Sequence, residues 1–412
     1  MIETHYPEVL APVGDFERLK MALLYGADAV YLGSTEYGMR SASANFDMDS
    51  LRKAVEMAHQ KGVRVYLTCN TLPRNEEIDR MEGFLREAAA TGVDAFIVTD
   101  LGVLSLVKKA APQVDIHIST QNGVVNWLAA SELYRMGAKR VVLARELSLE
   151  EIRQIREKTP PELELEVFVH GAMCMSFSGR CVLSNYMTGR DANRGQCAQP
   201  CRWNYALVEE KRPGQYFPVF EDESGTYILN AKDLCMLSYI KQLVEAGVTS
   251  LKIEGRAKSS YYVGVVTNAY RMAVDGYLKD PEHWTLPGWL MDEVRKVSHR
   301  DYSTGFYFGR PEQGQRYEGA GYIRICDIVA LVDRVEDGKV WCTQKNKFVE
   351  GDTLELLQPG QKPVSFVIGQ MTDGEGTPIT DTRHPAMAFS FPAGLLPQQP
   401  VEGSIIRKNV EP

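Results

Sequence analysis

Eight cysteines punctuate the 412-residue chain, and five of them share one stretch with the spacing Cys174-x6-Cys181-x15-Cys197-x3-Cys201-x33-Cys235. Thiolates are soft donors that select zinc or iron–sulfur centres. Structural zinc sites tend to use pairs of CxxC knuckles, and no CxxC pair occurs here. Widely spaced cysteines drawn from separate loops fit a [4Fe–4S] cluster better. The competing reading is that these are small buried hydrophobes. Their surroundings, SGRC and NRGQCAQPCR, are polar and glycine-rich, unlike a core. Five candidates for four positions leave one over, and residues 197 and 201 are where the ambiguity lies. Cys69, Cys326 and Cys342 sit in apolar, strand-like runs and are expected in the core.

A second set of chemistry-bearing residues directly follows short apolar runs: Asn70, Asp100, Gln121, Asn122, Arg145, Glu146, His170, Glu254 and Arg256. Gathered on one face, these would suit a small anionic substrate. Arg145 and Arg256 are candidate clamps, because a guanidinium binds a carboxylate bidentately. Asn70, Gln121 and Asn122 are candidate substrate contacts, and Glu254 and Arg145 candidate catalytic groups. His170, with an unperturbed pKa near 6.5, is a candidate acid or base. Each one could instead cap a loop or form a salt bridge. His117 reads as a satisfied core residue.

The elements that must position these residues follow from a recurring phrase, an amphipathic helix, a glycine and a short β-branched strand: MALLYGADAVYLG, AHQKGVRVYLT, REAAATGVDAFIVTD, LYRMGAKRVVLARE and VEAGVTSLKIEG. Glycine past a helix end adopts the left-handed cap, and the apolar run after it reads as a buried parallel strand. The expected strands are Val9–Pro12, Ala29–Leu32, Val63–Thr68, Ala95–Thr99, Asp115–Ser119, Arg140–Ala144, Leu165–Val169 and Ser250–Glu254. Eight such units imply an α/β fold, a TIM-like (β/α)8 barrel whose active face is the strands' C-terminal end. An open doubly wound sheet is the alternative, but no GxGxxG follows the first strand. A cysteine-rich insertion, about 170–249, breaks the spacing after strand 7 and carries a further strand-like piece, Thr226–Leu229. Helix Ser259–Leu278 closes the barrel. Short alternating strands then follow, with a hairpin turn around Glu336–Gly338. The expected domains are 1–315, barrel plus insertion, and 316–412, a small all-β barrel.

The segment from Glu166 to Ser184, EVFVHGAMCMSFSGRCVLS, resembles the signature of the peptidase U32 family: a glutamate, a phenylalanine, glycine-small-aliphatic-cysteine, glycine-x-cysteine and a serine. The opening PEVLAPVGDFERLK, RDANRGQCAQPCRW, LNAKDLC, LKIEGR and HRDYSTGFYFG resemble it too, so the likeness spans most of residues 7–310. The family takes its name from collagenase-like protease activity. Members similar in layout act in oxygen-independent hydroxylation of tRNA wobble uridine at carbon 5, of a ribosomal RNA cytidine and of a quinone precursor, with an iron–sulfur cluster and prephenate. The resemblance is nearest to the tRNA group. It implies Cys174, Cys181, Cys197 and Cys235 as cluster ligands, Cys201 as alternate, and prephenate as co-substrate. Its implied partners are a tRNA anticodon loop and a related U32 subunit.

Nothing in the residues specifies proteolysis beyond a conceivable Cys174–His170 pair; neither HExxH nor GxSxG occurs. The remaining alternative is a cluster- or zinc-stabilised RNA-binding scaffold. The formal charge is −8, whereas proteins that coat nucleic acid are usually basic. Any RNA contact must therefore be local. Arg180, Arg190, Arg194 and Arg202 crowd the insertion, with Lys252, Arg256 and Lys258 beyond, and Tyr186, Trp203 and Tyr205 interleaved. Cations contact phosphates and aromatics stack on extruded bases. The opening residues hold no basic segment followed by an apolar run, and no stretch is long enough to span a bilayer, so a cytoplasmic protein is expected.

Overall fold

The computed structural model describes residues 6–38, 45–174, 176–202, 231–309 and 322–410, with four two-residue strands between 207 and 226. In chain order the first body runs β1 (Glu8–Pro12), α1 (Phe16–Leu24), β2 (Ala29–Gly33), α2 (Met48–His59), β3 (Arg64–Cys69), α3 (Asn75–Ala89), β4 (Ala95–Val98), α4 (Leu101–Ala110), β5 (Asp115–Ile118), α5 (Trp127–Arg135), β6 (Arg140–Val142), α6 (Leu149–Lys158) and β7 (Glu164–Ala172). The insertion contributes α7 (Leu183–Thr188) and the short strands β8 (Leu207–Val208), β9 (Tyr216–Phe217), β10 (Glu221–Asp222) and β11 (Gly225–Thr226). It ends in β12 (Asp233–Cys235) and α8 (Ile240–Glu245), before β13 (Ser250–Ile253), α9 (Ser260–Lys279), α10 (Gly288–Arg295) and β14 (Tyr302–Ser303).

Strands β1 to β7 pair in parallel in sequence order, and β13 closes the cylinder by pairing with both β7 and β1. This is the expected eight-stranded barrel. The glycines ahead of the strands do what the phrase requires, with Gly62 at φ 72° and Gly137 at 107°. The helices start on side-chain caps: Asp15 accepts from Arg18 N, and Ser148 forms a capping box with Glu151. Two extra strands widen the wall at one place, because β12 runs antiparallel along β7 and β14 parallel along β12. The expected piece Thr226–Leu229 pairs at its first residue, within β11 against β10, and the rest lies outside the described residues.

The second body comprises β15 (Cys326–Glu336), β16 (Lys339–Gln344), β17 (Thr353–Leu357), β18 (Val364–Val367), β19 (Met371–Asp373), β20 (Pro378–Ile379), β21 (Ala388–Pro392) and β22 (Ile405–Asn409). These form one antiparallel sheet in the order β18-β17-β22-β15-β16-β21-β19-β20. It curls as a half-barrel; among the described residues no ladder joins its end strands. The β15–β16 turn falls at Asp337 and Gly338, with φ of 50° and 72°, where a two-residue hairpin needs left-handed conformations. Cys326 and Cys342 are buried, Cys342 in the separate core of this sheet.

A buried ionic contact fastens the two bodies. Arg407 of β22 is fully buried and donates to Glu293 of α10 and Glu355 of β17 at 2.7 and 2.9 Å, and to the Tyr261 hydroxyl at 3.3 Å. Tyr25 of α1 adds a hydrogen bond to the carbonyl of Leu357 at 3.0 Å. Among the described residues, no helix is long and apolar enough to cross a membrane.

Candidate active site at the barrel mouth

Strand alternation sends every second side chain inward, and the inward residues here are unusual. Barrel interiors are dominated by branched apolar residues. An apolar layer of Leu10, Ala29, Tyr31, Tyr66, Ala95 and Ile97 is present, but it is joined by a belt of buried charge. Arg140 donates to Glu8 at 2.6 Å and to Glu166 at 2.9 Å. Lys252 reaches Glu166 at 2.6 Å, Ser250 donates to Glu8 at 2.9 Å, and the Tyr66 hydroxyl donates to Glu8 at 2.6 Å. Burial pushes the Glu8 carboxyl up, but Arg140 and Arg64 outweigh it and hold the group below the usual carboxylate range. Lys252, expected in a surface basic patch, is thus an interior residue, held under the Tyr31 ring at 4.6 Å. His117 is buried beside this belt, edge-on to Tyr66 at 4.6 Å, and its Nδ1 has no hydrogen-bond partner among the described residues. It is a core residue, as expected, but not a satisfied one. Burial, and then Arg140 and Lys252, push its pKa well below the ordinary value.

Above the belt, the strand ends carry the polar set. Arg145 lies with its guanidinium carbon 3.7 Å over the Phe168 ring. It donates to the Ala172 carbonyl at 2.9 Å and to Glu254 at 3.2 Å. Its buried Nε has no hydrogen-bond partner among the described residues. Arg256, 3% exposed, donates to the Thr68 hydroxyl at 2.8 Å and reaches Asn45 at 3.5 Å. It passes so close to Gly33 that a Cβ there would lie 2.5 Å from the guanidinium. Asn70 donates to Gln121 at 3.1 Å, and Asn122 donates to the Thr99 carbonyl at 3.1 Å. The structure therefore brings Arg145 and Glu254 together as one pair and Asn70 and Gln121 as another, with Arg256 on the same rim. Asp100 takes the bland alternative: it caps α4 by accepting from Gly102 N and Val103 N.

His170 is not with these residues. Between Lys252 and Ile253 the pairing of β13 skips a residue of β7, passing from Phe168 to His170. Such a bulge turns the following side chain to the other face. His170 is buried behind the barrel wall, its two ring nitrogens 3.5 Å and 3.2 Å from the hydroxyls of Tyr270 and Tyr302. Burial pushes its pKa down to about 3, so it is a neutral packing residue.

The cysteine lobe rises from the same rim. Ser178 anchors it, giving its backbone N–H and its hydroxyl to the two oxygens of Glu146, both at 2.7 Å. Leu72 N donates to the Asn193 carbonyl at 3.3 Å, and Arg194 pairs with Glu77 at 2.5 Å. Cys174 is exposed and its sulfur accepts from Ser176 N at 3.4 Å; the Cys181 sulfur accepts from Leu183 N at 3.3 Å. Asn193 holds the Cys181 backbone at both its N–H and its carbonyl, at 3.2 and 3.0 Å. Cys235 is buried in β12 opposite His170, and burial pushes its thiol up to about 11. The donor chemistry fits a thiolate-bound cluster, and backbone N–H groups already point at two of the sulfurs. Among the described residues, however, no three metal-ligating side chains gather at one point. Tyr186 and Arg190 are exposed on this lobe. The Arg202 side chain, Trp203 and Tyr205 lie outside the described residues.

The signature from Glu166 to Ser184 now has a spatial meaning, running from the interior belt through the bulge to the lobe. The model of peptidase family U32 matches residues 14–317, and that of the peptidase family U32 C-terminal domain matches residues 324–407. The chain belongs to the peptidase U32 family. Among U32 relatives, the tRNA hydroxylation protein P1 of Bacillus subtilis is 38% identical, over 94% of this chain and 92% of that one. The 23S rRNA 5-hydroxycytidine C2501 synthase of Escherichia coli is 36% identical over 86% of this chain, which spans 53% of that larger protein. A collagenase of Porphyromonas gingivalis is 35% identical over 77% of both chains.

Three features of the U32 site were not legible in the residues. They are the Glu146–Ser178 latch, the Gly33 cradle for Arg256 and the interior belt. For the belt a signal existed: Glu8, Arg140, Glu166 and Lys252 each lie within or beside an otherwise apolar strand, where a surface role is hard to satisfy.

Proposed function

We propose that this chain is an RNA-modifying enzyme, and more narrowly that it takes part in oxygen-independent 5-hydroxylation of wobble uridine in the tRNA anticodon loop, with prephenate as co-substrate. The observation that carries the reading is the match, over nearly the full length of both chains, to a protein named for tRNA hydroxylation. The relative named for 23S rRNA points to the same chemistry on another RNA. The mouth is compatible with it. Arg145, oriented by Glu254 and stacked on Phe168, supplies a fixed positive charge that suits one carboxylate of a dicarboxylate. Arg256, braced by Thr68, suits the other. Asn70 and Gln121 offer amides to a neutral polar group, such as a base edge or a hydroxyl. Glu254 is placed to hold a proton transferred at the mouth.

Cys174, Cys181, Cys197 and Cys235 are the residues we assign to a [4Fe–4S] cluster, with Cys201 as alternate. Bound by them, such a centre would supply electron transfer or Lewis acidity. A peptidase is the runner-up, because one relative is named collagenase. That reading needs a thiol–imidazole pair, and His170 instead has its ring between two tyrosine hydroxyls.

The test is nucleoside mass spectrometry of tRNA from a strain lacking the gene, with anaerobically purified protein assayed for iron and sulfide. Loss of the wobble hydroxyl and about four irons per chain are expected. Unchanged wobble hydroxylation with no paralogue present, or colourless metal-free protein that cleaves casein, overturns the reading.

A further inference from the structure

Exposed large hydrophobic side chains are scattered on most surfaces and need no explanation when single. Here half of those among the described residues, 7 of 14, fall between positions 125 and 187. They come from two segments that touch. Phe177 lies against the loop after β5, its ring 3.5 Å from where a Cβ on Gly123 would be. That loop runs on through Val125 into Trp127, the first residue of α5. Trp127 is 40% exposed, Phe177 51% and Tyr186 86%. This belt borders the mouth, since the neighbour of Phe177, Ser178, is the residue latched to Glu146 and also reaches the backbone of Arg145 at 3.4 Å.

The charge around the belt has the opposite sign to that of the whole molecule. Residues 174–201 hold Arg180, Arg190 and Arg194 against Asp191 alone, three minus one or +2, in a chain of −8, with Arg194 paired to Glu77 and Arg180 and Arg190 exposed. The Lys158 ammonium lies 6.0 Å from the Trp127 ring. Rings beside cations, in a positive patch on a negative protein, match the surfaces that bind single-stranded nucleic acid: cations follow the phosphates and bases stack on the rings. A protein partner of a −8 chain has no comparable reason to select this patch.

We propose that Trp127 and Phe177, with Tyr186 beyond them, form a stacking platform for unpaired nucleobases, which holds the loop of an RNA across the rim while one base enters the mouth. This rests on the RNA-modifying reading and adds to it which residues grip the loop. The platform discriminates by strandedness, because a paired base presents no free face. Neither ring belongs to the clamp or to the thiol set, so each can be removed without touching the chemistry.

The experiment measures binding of the full-length protein to a fluorescent anticodon stem-loop oligonucleotide and to a duplex of matching length, across a salt series. Trp127→Ala and Phe177→Ala are each expected to weaken loop binding roughly 10-fold or more, because one stacked base is lost. Trp127→Phe should restore most of it, duplex binding should not change, and the salt slope should stay the same. Arg190→Ala should instead lower the salt slope by about one unit, as a phosphate contact does. Trp127 fluorescence should be quenched by the loop RNA and not by the duplex. The proposal is overturned if the alanine variants bind the loop as tightly as the parent, or lose loop and duplex equally. It is also overturned if Trp127→Ala dissolves a dimer while RNA binding persists, which would make the belt a subunit contact. A strain that keeps its wobble hydroxyl, alongside ring variants that still lose loop binding selectively, would sink the hydroxylase reading and leave this one standing.

Discussion

The inside of the barrel and the lobe above it put charged and reactive groups to opposite uses. In the interior, Glu8, Arg140, Glu166 and Lys252 are all buried, and each has a partner within 3 Å. These four are spent on one another. In the lobe, Cys174, Arg190 and Tyr186 are exposed, and a handful of hydrogen bonds ties the segment to the rim. Buried charge of this kind fixes geometry more than it stabilises, because desolvation offsets much of the attraction. The contrast teaches that the fold's most conspicuous charges are scaffold, whereas the thiols and cations of the lobe are left open to solvent.

The comparison breaks most visibly at Glu166. Glu166→Ala leaves Lys252 and part of Arg140 buried without their counter-charge, and a loss of about 3–5 kcal/mol is expected in urea unfolding of the apo protein. A variant within 1 kcal/mol of the parent would mean the belt is solvated.

The belt also sets a pH dependence. His117 has a folded pKa well below its unfolded value near 6.5, so on acidification the unfolded chain binds a proton that the folded chain refuses. Its effect is nil above about pH 6.5, and stability then falls by about 1.4 kcal/mol per pH unit. His170 and His299, also pushed down by burial, act alike in parent and variant and cancel from the comparison. The difference between parent and His117→Asn should therefore shrink as pH falls below about 6.5; a constant difference would refute the assignment.

The latch is worth less. Ser178→Ala removes one of two hydrogen bonds to Glu146, and a cost of about 1–2 kcal/mol is expected. Its clearer readout is faster hydrogen exchange across residues 176–195, with the barrel strands unchanged. The smallest effect belongs to the lobe itself. Cys174→Ser should shift apo stability by less than about 0.5 kcal/mol, yet lower the iron bound after anaerobic reconstitution. If iron content holds, Cys174 is not a ligand.

The barrel was readable because parallel strands buried on both faces are written as plain apolar runs. The eighth was expected at Ser250–Glu254 and spans Ser250–Ile253; the closing helix was expected at Ser259–Leu278 and spans Ser260–Lys279. The all-β character of the second body was legible from its alternation, and its first hairpin from Asp337-Gly338. Side-chain direction was less so. Lys252 reads in the sequence as one of the local cations with Arg256 and Lys258, although a period of two places it, with Glu254 and Arg256, on the inner side. His170 was misplaced by a single unpaired residue in β7, which no sequence pattern announces. The set at the strand ends could be listed but not sorted. Only the folded chain separates Arg145, which stacks and pairs across the mouth, from Asp100, which caps its own helix.

Arg407 carries a consequence for anything long that the protein handles. Its guanidinium is shared by carboxylates from both bodies and is sealed from water, so the curled sheet cannot swing freely about the linker. An elongated ligand that touched both the sheet and the rim would meet a gauge of set span, accepted or rejected by its own dimensions.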